Sequence, residues 1–168
     1  MDDARFWAII DASRRGCDHR SADEARWQPA VLERLLRALT PDDIEAFALI
    51  FEALHARAYR WDLWHAAYVI AGGCSDDGFA DFRSGLIGLG REVFEDALRD
   101  PLTLARLPRD TELSQEGMRY AARRAYEGLT GRHLAVDVVH AIEPAGGQLD
   151  EEVFLRKYAE LERRLDPR

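Results

Sequence analysis

Apolar residues recur at three- and four-residue spacing through most of this chain, and that periodicity points to a helical fold. Ile44, Phe47, Ala48, Phe51, Leu54 and Ala58 make the cleanest run, one face of a helix with hardly a break. Thr40-Pro41-Asp42-Asp43 stands in front of it, with Thr as cap, Pro in the first turn and acids on the positive end of the helix dipole. Composition agrees: 25 Ala and 20 Leu outnumber the 18 Val, Ile and Thr together, which favours helix over sheet.

The same pattern can be followed along the chain. Phe6, Ile9, Ile10 and Ser13 share a face that Gly16 ends. Ser21-Ala22-Asp23-Glu24 reads as a capping box, opening a helix with the inner stripe Gln28, Val31, Leu32, Leu35, Leu36 and Leu39. Residues 60–71 are apolar nearly all round and close on Gly72-Gly73; such a helix normally forms the buried centre of a bundle. Ser75-Asp76-Asp77 caps a short helix carrying Phe79, Phe82, Leu86 and Ile87. Residues 91–99 form another, halted before Pro101, and 100–113 read as loop with a short turn. Residues 114–129 are helical, with Met118, Ala122, Ala125 and Leu129 inward. Residues 133–142 suit a helix or, through Val136, Val138 and Val139, a strand. Asp150 caps a last helix with Val153, Phe154, Tyr158, Leu161 and Leu165. No repeat and no long linker divides the chain, so the expectation is one all-α domain, residues 1–168, of about eight helices around a central aromatic-rich helix.

Charge narrows the function classes. The chain has 23 Lys and Arg against 31 Asp and Glu, a net charge of -8. Each third of the chain carries more acid than base, so no basic arm is hidden in the average. Phosphate-backbone affinity comes mostly from Lys and Arg, so no nucleic-acid partner is expected. The longest apolar stretch, 66–71, is far too short for a membrane span, and the acidic N-terminus is no signal core. Cys17 and Cys74 form no CxxC unit. A soluble, cytoplasmic protein with reduced thiols is the expectation.

One stretch concentrates chemistry. Residues 59–83 hold six of the sixteen aromatics. Trp61, Trp64, His65 and Tyr68 share one helical face, and Asp62 lies one turn from His65. Asp62 and His65 either bond each other, a backbone group or an Arg within a core, or they line a cleft with aromatic walls. Ser75, Asp76 and Asp77 either cap a helix, or one acid faces a cleft beside Arg83 or His65. Cys74 precedes a helix start, where a thiolate is favoured, but two nearby Asp oppose ionisation. His133, Asp137 and His140 fall at i, i+4 and i+7, a weak metal pattern that vanishes if the segment is a strand. No GxGxxG, P-loop, GxSxG, HExxH or EF-hand spacing occurs, and no cofactor is expected.

Three motifs carry a resemblance: Phe6-Trp7-x-Ile9-Ile10; Ala58-Tyr59-Arg60-Trp61-Asp62-Leu63-Trp64-x-Ala66-Ala67-Tyr68-x-Ile70; and Gly72-Gly73-Cys74-Ser75-Asp76-Asp77-Gly78-Phe79-x-x-Phe82-Arg83. Gly90-Arg91-Glu92-Val93, Asp100-Pro101 and Ala125-Tyr126-Glu127 continue it. Together they resemble the bacterial family known as domain of unknown function 4240, over roughly residues 1–130. The resemblance implies a compact, mostly helical domain and supplies no reaction. The chain departs from the family pattern where a Trp gives way to Gly85 and a Gln to Leu89. The tail after Gly131 also differs, which would make the His133 set peculiar to this chain.

Two function classes follow. The first is a binding or regulatory module offering an acidic helical surface, or an aromatic–acidic cleft, to a partner protein or a cationic ligand. The second is a small cofactor-independent enzyme drawing on Trp61, Asp62, Trp64, His65, Asp76, Asp77 and Arg83. Convergence of His65, Asp76 and Arg83 on one pocket would favour the second.

Overall fold

The computed structural model describes the chain except residues 19–22, 25–26, 109, 137–140 and 166–168. Its helices are α1 (Asp3–Gly16), α2 (Gln28–Leu36), α3 (Pro41–Arg57), α4 (Trp61–Ala71), α5 (Asp76–Gly88), α6 (Arg91–Arg99), α7 (Glu116–Thr130) and α8 (Glu151–Leu165). A 3-10 helix at Pro101–Arg106 lies between α6 and α7. Among the described residues no strand forms; one isolated parallel bridge joins Arg60 to Ala145. No described helix is long and apolar enough to cross a membrane.

Four of the described α-helices begin where side-chain chemistry supplies a cap. Asp2 accepts from Arg5 N at 2.8 Å, Thr40 from Asp43 N at 3.2 Å and Ser75 from Gly78 N at 3.2 Å. Asp150 accepts from Val153 N at 2.8 Å. Each bond satisfies a backbone donor that the first helical turn leaves open. The second helix departs from expectation. It begins at Gln28, with Pro29 in its first turn, and Ser21 and Ala22 of the capping box lie outside the described residues. Proline needs no amide partner in a first turn, which is why the helix starts there. At the end of α4, Gly72 adopts φ 68° and the amide of Gly73 returns to Tyr68 O at 2.9 Å. A left-handed residue with no Cβ is what this reversal requires.

The core sits where α7 packs on α2, α3 and α5, with α1 closing against α2. Phe6, Ile10, Leu32, Leu36, Phe47, Leu86, Ile87 and Met118 fill it. Ala121 and Ala125 on α7 are fully buried, and their small size lets neighbouring helices approach closely. Leu129, expected inward, is 48% exposed. One polar residue of the inner stripe has a specific task. Gln28 donates to Gly88 O at 2.8 Å and to Ser13 Oγ at 3.1 Å, and Ser13 donates to Ile10 O at 2.7 Å. These bonds tie α1, α2 and the end of α5 together, and a buried amide without them would be costly.

Gly85 lies where α5 meets the incoming chain before α7. A Cβ there would overlap the carbonyl of Leu113. The amide of Gln115 donates to Asp81 O at 3.1 Å, fixing that crossing. A larger side chain, such as the Trp that the resemblance implies, therefore has no room at this position, given the path of residues 113–115.

The expectation for α4 changes. It buries only Leu63, Ala66 and Ala67, while Tyr68 is 51% exposed. Its aromatic face is not sealed in the core; α8 covers part of it. Tyr158 anchors α8, fully buried, with its hydroxyl donating to Asp62 O at 2.8 Å. Residues 133–136 and 141–142 are irregular, and 137–140 lie outside the described residues, so neither the helix nor the strand expected for 133–142 is seen.

Candidate functional site

Positions 61, 64, 65 and 68 fall within two turns of α4, and helical spacing sets Trp61, Trp64, His65 and Tyr68 on one face. Phe154 and Leu155 of α8 face them, and Gln148 and Leu149 close one end. Together they wall a groove of about 650 Å³. The rings are ordered. Trp61 stacks on Trp64 at 5.3 Å and 14°, and Trp64 stacks on Phe79 at 4.8 Å and 14°. His65 lies 6.0 Å from Trp61 and meets the edge of Phe154 at 5.2 Å. The Trp64 indole donates to Cys74 O at 3.1 Å, which fixes its orientation. Glu151 and Glu162 also line the groove, and no Lys or Arg is among its lining residues. Lys157 sits beside it, its ammonium 5.6 Å from the Tyr158 ring centroid.

Asp62 and His65 do not bond each other. Asp62 pairs with Arg60 through two contacts of 3.0 and 2.6 Å, the two-point geometry that suits guanidinium and carboxylate. His65 Nδ1 is buried with no hydrogen-bond partner. Burial pushes the His65 pKa below the ordinary imidazole value, with Asp62 opposing and Lys157 reinforcing. The ring thus favours its neutral form and serves the groove as an aromatic wall.

Asp76 and Arg83 line a different cavity, of about 450 Å³, with His55, Tyr59 and Arg119. The set His65, Asp76 and Arg83 is therefore not assembled in one pocket. Arg83 donates to His55 O at 2.9 Å and Phe79 O at 3.4 Å, and its guanidinium lies 4.7 Å from the Tyr59 ring centroid. Arg119 makes a two-point pair with Glu52, at 2.9 and 3.1 Å. Neither His55 nor Arg119 stands out in the sequence. His55 could have been found as the residue one turn beyond Phe51 on the buried stripe of α3; the Glu52–Arg119 pair spans 67 residues and leaves no local signal.

His55 is buried, and its Nε2 contacts Ala80 O at 3.0 Å. A carbonyl only accepts, so Nε2 carries the proton. Burial, then the nearby Arg83, press its pKa from 6.5 to about 4, against the opposing Ala80 bond and Glu52. The unfolded chain takes up this proton near pH 6.5, whereas the folded one resists until about 4. His55 therefore favours the fold fully above pH 6.5, and that contribution is lost progressively as pH falls through this window. Urea unfolding at neutral and mildly acid pH should show a steeper loss in the native chain than in His55→Gln. Parallel curves would contradict the assignment.

Ser75, Asp76 and Asp77 sit at a helix start. Ser75 caps α5, and Asp76 and Asp77 are exposed in its first turn, where acids complement the dipole. Cys74 is pushed up by burial, then by Asp76 and Asp81, which disfavours a thiolate. His133 Nδ1 lies 2.8 Å from Glu127 on an irregular segment, and Asp137 and His140 lie outside the described residues. Among the described residues no group of three His, Cys, Asp or Glu could hold a metal ion.

The profile of a family described as "Protein of unknown function (DUF4240)" matches residues 1–128. No curated protein and no solved structure matches the chain.

Proposed function

Because the chain belongs to the DUF4240 family, whose description assigns no activity, we propose a role from the site itself: the protein is a binding module whose α4–α8 groove takes a cationic side chain of a partner protein. The observation that carries this reading is the composition of the groove walls. Trp61, Tyr68 and Phe154 offer aromatic surface with Trp64 stacked behind Trp61, Glu151 and Glu162 supply carboxylates, and no lining residue is cationic. A cation over an aromatic face gains about 0.5–1 kcal/mol when exposed and about 2 when desolvated, and Trp is the best such face. The net charge of -8 supports the same choice, since an acidic protein attracts basic partners over long range. The separation of His65 from Asp76 and Arg83 speaks for binding rather than acid–base chemistry.

N-acetyl-arginine amide and tetramethylammonium are suitable probes, read by the fluorescence of Trp61 and Trp64. Both should bind saturably, and Trp61→Ala should weaken them by roughly tenfold, the equivalent of about 1.4 kcal/mol. An uncharged analogue of the same shape should bind less well. Equal affinity for the uncharged analogue, or for Trp61→Ala, would overturn the reading.

A further inference from the structure

The second cavity has chemistry that the groove does not use. A guanidinium carries five N–H donors. Those of Arg83 are committed at two points, Nε to Phe79 O and one Nη to His55 O. Both acceptors are neutral carbonyls, and among the described residues no carboxylate forms an ion pair with Arg83. Its second Nη has no described partner and, with the remaining N–H of the first, can grip a carboxylate through two parallel bonds. The group is partly buried, and it lines a cavity of about 450 Å³.

We propose that this cavity, walled by α3, α5, α7, Tyr59 and residues 141–142, binds a small carboxylate-bearing molecule on the Arg83 guanidinium. Charge balance selects the ligand class. Arg119 is already neutralised by its two-point pair with Glu52, and His55 is held neutral. Asp76 also lines the cavity but is exposed, so solvent screens its charge. One positive charge is left over, which a singly charged carboxylate balances and a phosphate dianion exceeds. Burial, then Arg119, hold the Arg83 pKa down at about 10, a strain that an anion against it would relieve. Tyr59 and Phe79 lie against the guanidinium face, at 4.7 and 5.0 Å, and keep its plane fixed for edge-on contact.

The test is a titration of the full chain with acetate, exchanged for chloride at constant ionic strength and followed by the Nε–Hε resonance of Arg83. A saturable shift is expected with acetate and not with chloride. Arg83→Lys, which keeps the charge and loses the fork, should weaken binding roughly tenfold. Backbone amide shifts of residues 55–59 provide the readout in that variant, and circular dichroism checks its fold. Absence of a saturable shift, or unchanged affinity in Arg83→Lys, would overturn the proposal. Tighter binding of inorganic phosphate than of acetate would overturn the choice of ligand class. The α4–α8 groove is not involved, so the arginine-amide experiment stands or fails separately.

Discussion

Gly85→Ala is expected to destabilise the protein by about 3 kcal/mol, an unusual sign for a glycine inside a helix. Replacing an interior helical Gly by Ala ordinarily gains about 1 kcal/mol, because Gly loses more backbone freedom on folding. Here the added methyl group would overlap the carbonyl oxygen of Leu113 and lie 2.6 Å from its carbonyl carbon. The obstacle is backbone, so no side chain can rotate away. The crossing segment is held by the Gln115 amide on Asp81 O, at 3.1 Å, so moving it breaks a second contact. Gly78, in the first turn of the same helix, is the control: its nearest neighbour to an added Cβ is Ser75 Oγ at 3.4 Å, an ordinary contact. Gly78→Ala should be neutral or mildly stabilising. Urea midpoints for the two variants decide the matter. Equal effects would mean that residues 113–115 do not cross α5 at Gly85.

Phe79→Ala should cost about 4 kcal/mol, the upper part of the range for deleting a buried aromatic. Phe79 is fully buried and packs against Trp64 of the groove and Arg83 of the second cavity. Its ring stacks on Trp64 at 4.8 Å, lies 6.2 Å from both Tyr59 and Phe82, and supports Arg83 at 5.0 Å. Deleting it leaves a void that these neighbours cannot all close, because the Trp64 indole is bonded to Cys74 O and Arg83 to His55 O. Phe79→Leu, which keeps most of the volume, should cost clearly less. Calorimetric unfolding of both variants gives the comparison. A loss below about 1 kcal/mol for the alanine variant would show that the ring is not a packing centre.

Local chemistry made much of the fold legible. The run from Ile44 to Ala58, with Thr40 and Pro41 before it, yields α3 almost residue for residue. Ser75 and Asp150 mark helix starts because capping is a contact between residues three apart. What distant segments decide was not legible. The aromatic face of α4 reads as the centre of a bundle, since sequence does not say what covers it; α8, about ninety residues on, covers only part. Asp62 looks toward His65 by helical spacing, yet Arg60, just outside the helix, reaches it first. In residues 133–142 the β-branched run suits a strand, but Val138 and Val139 lie outside the described residues, and the described ones, 133–136 and 141–142, are irregular. The candidate site shows the same division. The shared face of Trp61, Trp64, His65 and Tyr68 follows from spacing alone, whereas the grouping of His55, Arg83 and Arg119 depends on three helices meeting.

The groove draws its two walls from different parts of the chain. The α4 wall lies inside the family match, 1–128, and the wall formed by residues 148–162 lies beyond it. Such a surface can diversify as a lock with one interchangeable plate. Replacing Glu151, Leu155 or Glu162, which are exposed on α8, alters the opening without disturbing the packing of α2, α3, α5 and α7. Substitutions in the tail alone reshape this opening, while the family-matched body and its tryptophan pair stay unchanged.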